Sequence, residues 1–376
     1  MSKRSSHLHS MAVSITFMLL IMLALINMFH FMIGVKNDLS TIFFIPKITA
    51  KSDVDSIIIT PYRIIEGVNL TNLEKTIRDL SSFHTRHTES EYLDDVAYWL
   101  TEKLQSVCGR EVYVQNFTYT PDKTDDKDSD RKSNTHRQEP SSYDLKNIIC
   151  EKPGSTNNTV MISAHYDSRM EDINNSTARA PGADDNASGV SALLEIARIL
   201  SNVSLNHHSI IFVLFSGEEQ GKLGSTYYAD YVHKTDVDLD LLINLDMIGF
   251  SSDIANNFLV EYDNGNVVSD NDKHSRAVAN FIRGIAEKYT NLNTTLGLLG
   301  NSDYLPFEAL GYTVIGLHDD AVTKNPDHHT TADTPDNLNY EYLTSTTKLV
   351  LATILNLDRL MTTADTHLSL LKLQKN

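Results

Sequence analysis

Cysteine is nearly missing: Cys108 and Cys150 are the only two in 376 residues. So few thiols exclude a disulfide-dense scaffold and any zinc site built on thiolates, and leave one bridge between the pair open. Basic charge is also scarce, with 32 Lys and Arg against 49 Asp and Glu and a formal net charge of -17. Phosphate recognition needs a basic face, so nucleic acid is excluded as a partner. No internal repeat is visible, which removes solenoids and propellers. Outside the first 35 residues, no uncharged apolar run is long enough to suggest a membrane span.

That one exception, "MAVSITFMLLIMLALINMFHFMIGV", is interrupted strongly only by Asn27 and His30. Residues 11–33 approach the roughly 20 needed to cross a bilayer and exceed the roughly 7 to 15 of a signal-peptide core. We read a transmembrane signal anchor. Lys3 and Arg4 mark residues 1–10 as a cytoplasmic tail, with everything after the span on the non-cytoplasmic side. A cleaved signal peptide and a secreted product is the alternative, weakened because no clear Ala-x-Ala site follows the run. Residues 34–60 read as a stalk. With 41% hydrophobic and 22% charged residues the chain can bury a substantial core, and residues 61–365 read as a catalytic domain followed by a tail, 366–376.

Leu93, Val96, Ala97, Leu100 and Leu104 form one helical stripe that Gly109 ends. "EVYVQNFTYT" and "YDLKNIICEKPG" read as paired strands around a polar insertion, 121–142, too charged to bury. Beyond it strands and helices alternate. "TVMISAHYD", "SIIFVLFSGEE", "DLLINLDMIG" and "YTVIGLHD" are short apolar runs of the kind covered on both faces. Their separators, residues 187–200, 272–289 and 338–361, carry helical spacing. The order predicts a three-layer α/β/α sandwich with a mixed, mostly parallel central sheet.

In such sheets ligands sit at the carboxyl ends of the strands, and acidic residues gather there. "SAHYDS" offers His165 and Asp167, "PGADDNASG" offers Asp184 and Asp185, and "FSGEEQG" offers Glu218 and Glu219. "NLDMIG" adds Asp246, and "NPDHHTTADTPDN" adds His328, His329 and Asp333. Singly, each has a plain structural explanation such as a helix cap or a favourable position in the macrodipole. Together, so many carboxylates at one sheet edge repel one another by several kcal/mol unless cations neutralise them. Imidazole and carboxylate without thiolate suit zinc in a hydrolytic site, with manganese or cobalt as substitutes.

In this order the five motifs resemble the co-catalytic dizinc aminopeptidases, similar to bacterial leucyl aminopeptidase in the zinc-exopeptidase superfamily, over residues 147–337. The resemblance implies a phosphorylase/hydrolase-like fold and two zinc ions, His165 and Asp246 holding one and Glu219 and His329 the other, with Asp185 bridging. It implies that Asp184 is not a ligand, that Asp167 orients His165, and that Glu218 is the general base. A cis peptide is expected between Asp185 and Asn186. His328 departs from the family pattern, and His329 is chosen by its register with "TTADT". Asp333 is expected to brace the approach to the final helix.

The activity so implied is removal of N-terminal residues from peptides with a free amino end. A carboxypeptidase of the same superfamily, a single-zinc glutaminyl-cyclase-like enzyme and a non-catalytic receptor-like ectodomain are the alternatives. The intact ligand set argues against the last two. Oligomeric state is not legible in the sequence.

Overall fold

The computed structural model describes residues 61–121, 142–251, 256–319 and 325–362, with side chains as far as residue 359. The expected tails, span and stalk, and all but the two ends of the polar insertion, lie outside those residues. Among the described residues no helix is long and apolar enough to cross a membrane.

Strands β1 (Val112–Tyr119) and β2 (Tyr143–Lys152) form the expected antiparallel hairpin, Val112 opposite Cys150 and Tyr119 opposite Tyr143. Strands β3 (Thr159–His165), β4 (Ser209–Phe215) and β5 (Leu239–Leu245) follow, then β6 (Asn257–Tyr262), β7 (Asn293–Leu298) and β8 (Val314–Asp319). They make one eight-stranded sheet in the order β1-β2-β4-β3-β5-β8-β6-β7. Four neighbouring pairs, β4/β3, β3/β5, β5/β8 and β6/β7, are parallel and the rest antiparallel.

The apolar runs are continuous because the central strands feed two cores. On β4, Ile210, Phe212 and Leu214 enter one core while Ile211, Val213 and Phe215 enter the other, as period-two alternation requires. Helices α1 (Leu70–Ser82), α2 (Leu93–Cys108) and α3 (Gly189–Leu200) cover the first face. The second is covered by α4 (Leu223–Lys234) through Tyr228, Ala229 and Val232. Helix α5 (Asp272–Tyr289) joins the first face, the short α6 (Leu305–Glu308) the second through Phe307, and α7 (Tyr340–Thr362) the first. This is the three-layer sandwich expected.

Helix α2 presents its predicted stripe inward and ends at Gly109, whose φ of 68° suits glycine. Its last residue, Cys108, is disulfide-bonded to Cys150 on β2.

Candidate metal centre

Because β4, β3 and β5 are parallel neighbours, the loops leaving their carboxyl ends emerge side by side. Sequence positions far apart in the chain therefore meet there. His165 closes β3, Glu218 and Glu219 follow β4, and Asp246 follows β5.

Asp185 comes from the irregular turn that precedes α3. Its backbone is non-helical at Asp185 (φ -103°, ψ 94°) and Asn186, and the peptide joining them is cis, as expected. The regular helix consequently starts at Gly189, two residues later than the apolar spacing suggested. Asn186 anchors the turn: its Nδ2 donates to the Leu245 carbonyl (2.8 Å), and its Oδ1 accepts from the Gly189 amide (3.0 Å). A side chain at Gly189 would place its first carbon 2.6 Å from the Leu245 carbonyl oxygen, so only glycine allows this approach.

Asp333 corrects the sequence reading. Rather than bracing the last helix, its two carboxylate oxygens accept the amides of Asp184 (2.9 Å) and Asp185 (3.1 Å) and hold the turn. Asp184 faces away from the cluster, its oxygens taken by the Gly249 amide and Asn325 Nδ2, in keeping with its exclusion as a ligand. Beneath the turn lies Arg86, fully buried, donating to the carbonyls of Tyr166 (2.7 Å), Pro181 (2.6 Å) and Gly182 (2.8 Å). Burial pulls its guanidinium down to about 10, which leaves it cationic at neutral pH under an acidic cluster.

The side chains converge on Asp185. Its Oδ1 lies 3.3 Å from His165 Nε2, which is also 3.3 Å from Asp246 Oδ1. Asp185 Oδ2 lies 3.0 Å from His329 Nε2, which is 3.3 Å from Glu219 Oε2. His328 Nε2 also reaches Asp185 Oδ2 at 3.0 Å, its ring against that of His329 with centroids 3.6 Å apart. Yet the His328 side chain is 42% exposed and that of His329 only 14%. His329 and Met247, the latter beside Asp246, have φ of 57° and 51°, backbone conformations that cost roughly 1–3 kcal/mol and collect at functional sites.

Asp167 does more than orient a histidine. It lies 3.5 Å from His165 Nδ1 while accepting the amides of Glu218 (3.2 Å) and Glu219 (3.1 Å) and the Thr88 hydroxyl (3.0 Å). One buried carboxylate thus fixes both strand ends.

Electrostatically the cluster is short of positive charge. Burial opposes ionisation of Asp185 and Asp167, yet histidine contacts hold both below the usual carboxylate range, Asp185 well below. Burial likewise opposes the imidazolium forms, but surrounding carboxylates hold His165 well above its ordinary value and His329 at about 9. Burial pushes Glu218 up to about 10, with Asp303, Asp246 and Glu219 adding to the effect. Protons stand where a divalent cation would be favoured.

The donor set fits zinc. His165, Asp185 and Asp246 form one group and Asp185, His328 and His329 another, each with its ligand atoms within 4.8 Å of one another. Glu219 Oε1 is buried with no hydrogen-bond partner, a lone pair that a cation can satisfy. All five expected ligands therefore line one cavity of about 320 Å³, together with Glu218.

Several contributors carry only a weak signal in the sequence. Ser163, Asn244 and Ser302 form a buried hydrogen-bonded chain ending on Asp246 Oδ2 (2.5 Å from Ser302 Oγ). Arg169 Nε donates to Glu219 Oε2 at 2.7 Å on the cavity rim. Position beside "SAHYDS" and within "GNSDY" was the available clue.

An α/β sandwich with imidazole and carboxylate at its parallel strand ends defines the class of metal-dependent hydrolases. The family model for peptidase family M28 matches residues 147–354, more than half of the chain, and the chain belongs to that family. A "Probable zinc metalloprotease" of Pyrenophora teres f. teres is 29% identical over 202 residues, 50% of this chain and 39% of that protein. The chain thus spans about two fifths of that relative. "Leucine aminopeptidase 1" of Sclerotinia sclerotiorum is 26% identical over 302 residues, covering 78% of this chain and 73% of the relative. Among solved structures, the LapA aminopeptidase of Legionella pneumophila shares the fold with a TM-score of 0.63 and 20% identity, covering 80% of this chain and 74% of that one. A glutaminyl cyclase of Bacteroides thetaiotaomicron does so with a TM-score of 0.62 and 21% identity, covering 77% and 98%.

Proposed function

We propose that this chain is a zinc-dependent aminopeptidase that holds two metal ions. The observation that carries the reading is the convergence on Asp185, with His165 and Asp246 around one oxygen and His329 and Glu219 around the other. His165 and Asp246 would hold one zinc, Glu219 and His329 the other, with Asp185 common to both. When bound, the zinc ions supply Lewis acidity, polarising a peptide carbonyl and lowering the pKa of water.

The chain's own residues supply the rest. Glu218 faces the cavity on a backbone pinned by Asp167, placed to take a proton from the attacking water and return it to the leaving amine. Asp246 would favour the cationic α-amino group of a peptide with a free N-terminus. His165 keeps its Nδ1 side toward Asp167, leaving Nε2 toward the cluster.

Fold alone does not separate a peptidase from a glutaminyl cyclase, since both kinds of structure are matched. The contacts of His329 with both Asp185 and Glu219 and the intact "SGEEQG" context favour two metals and hydrolysis. We further infer that residues 11–33 anchor the protein, with residues 61–365 as a catalytic domain on the non-cytoplasmic side. The Cys108–Cys150 disulfide supports that placement, because such bonds persist in oxidising compartments.

The test is release of p-nitroaniline from free and N-acetylated aminoacyl substrates, with and without chelator and added zinc. Hydrolysis of free amines alone, abolished by chelation and restored by zinc, is expected. Activity indifferent to metal removal, or equal on blocked amines, contradicts the reading.

A further inference from the structure

The cavity that holds the metal centre has a second acidic pole. At its far wall is Glu261, half-buried on β6. The register places Glu261 beside Gly316 on β8, and Gly316 beside Asn244 on β5, two residues before Asp246. Neighbouring strands are about 4.8 Å apart, so Glu261 starts roughly 10 Å from Asn244 across the sheet. Its side chain then leans back over β8. A side chain at Gly316 would put its first carbon 2.5 Å from Glu261 Oε2 and 2.6 Å from Tyr304 Cε1, so the glycine is what admits both groups to the wall.

Glu261 is held by uncharged donors, the Tyr304 hydroxyl at 2.9 Å and the Gly300 amide. Two cationic groups of the cavity have closer partners, Arg169 on Glu219 and His318 on Asp319 (Nδ1 to Oδ1, 2.8 Å), and of these His318 also acts on Glu261 through space. Among the described residues, no Lys, Arg or His forms an ion pair with Glu261.

The cavity runs from the half-exposed His328 to Glu261, where the buried Tyr304 and Leu317 and the exposed Gly300 and Asn301 line it. An aminopeptidase substrate held by its α-amino group beside Asp246 has its first side chain within reach of Glu261, two strands away on the same cavity wall. Resting on the aminopeptidase reading, we propose that Glu261 is a specificity-determining residue that selects a cationic first side chain, lysine or arginine, over an apolar one. A carboxylate steadied by neutral hydrogen-bond donors pairs with an incoming ammonium or guanidinium in a partly dehydrated site, whereas an apolar side chain leaves it only the more distant His318.

Lysine and norleucine differ chiefly in the terminal amine, so the ratio of kcat/KM for their p-nitroanilides isolates that contact. The expected ratio is about 10 to 100, the range for a charge-assisted hydrogen bond, collapsing to within about threefold of unity in Glu261→Gln. Tyr304→Phe, which removes a neutral donor and keeps the carboxylate, retains the lysine preference. A wild-type ratio near one, or a ratio unchanged in Glu261→Gln, overturns the proposal and leaves the aminopeptidase reading standing. Should no free amine be hydrolysed, that reading fails, and calorimetric binding of L-lysine and L-norleucine to the zinc-loaded protein then decides. Tighter lysine binding that Glu261→Gln abolishes upholds the acidic subsite, and equal binding overturns it.

Discussion

Asp333 Oδ2 accepts the backbone amide of Asp185 at 3.1 Å across 148 positions of chain, while its partner oxygen takes the amide of Asp184. The carboxylate at the centre of the cluster is thus aimed by another carboxylate that faces only backbone. Removing it in Asp333→Ala leaves two buried N–H groups unpaired, at about 1–3 kcal/mol each, and loosens the turn. Lower thermal stability together with a zinc affinity reduced about 10- to 100-fold is expected from melting curves and metal titration. A variant with unaltered zinc affinity would show that the turn is not what positions Asp185.

Glu218 and Glu219 are adjacent in sequence but face different tasks. Glu218→Gln is expected to retain zinc and lose turnover, whereas Glu219→Ala loses metal. Mass spectrometry of the metal content beside steady-state rates separates the two, and equal metal with equal activity in both variants would refute the assignment.

His328 and His329 both touch Asp185, but only His329 also reaches Glu219. His329→Ala should therefore lower bound zinc and cut kcat/KM beyond the roughly 100-fold that marks loss of an indirect partner. His328→Ala should keep its zinc. The reverse pattern would exchange their roles.

Without metal, His329 is held at about 9 and Glu218 at about 10, so both carry protons at pH 8. Zinc binding at His329 must expel its proton, and affinity must rise with pH up to about that value. For stability the sign is the same for both groups: raised folded-state values favour the folded metal-free protein at low pH, and this contribution fades as pH rises. For His329 the loss runs from its unfolded value near 6.5 up to about 9. Calorimetry in buffers of different ionisation enthalpy measures the expelled protons. Zinc binding without proton release at pH 8 would contradict this electrostatic picture.

The disulfide Cys108–Cys150 spans 42 positions, a loop whose closure contributes about 4 kcal/mol in the chain-entropy model. Replacing both cysteines by alanine is expected to lower the melting temperature while leaving zinc content intact. A metal content that falls with the bond would tie it to the site instead.

Much of this was legible because the central strands are buried on both faces and so read as continuous apolar runs, each ending on chemistry. His165, Glu219 and Asp246 were readable because a strand end is a fixed place. Asp333 was misjudged because its partners are backbone amides, which leave no residue-type signature. Arg86, Asn186 and Glu261 were passed over for a related reason: their roles depend on strand register and on carbonyls supplied by distant loops. Strands β6 and β7 leave little signal in the sequence because they lie at one side of the sheet and bury little, and α4 because glycine, serine and tyrosine blur its apolar face.

Anomalous diffraction at the zinc absorption edge, from crystals of the zinc-loaded protein, tests the central claim most directly. The account predicts two peaks, one beside His165, Asp185 and Asp246 and one beside Asp185, Glu219 and His329. A single peak, or none next to Asp185, would contradict it.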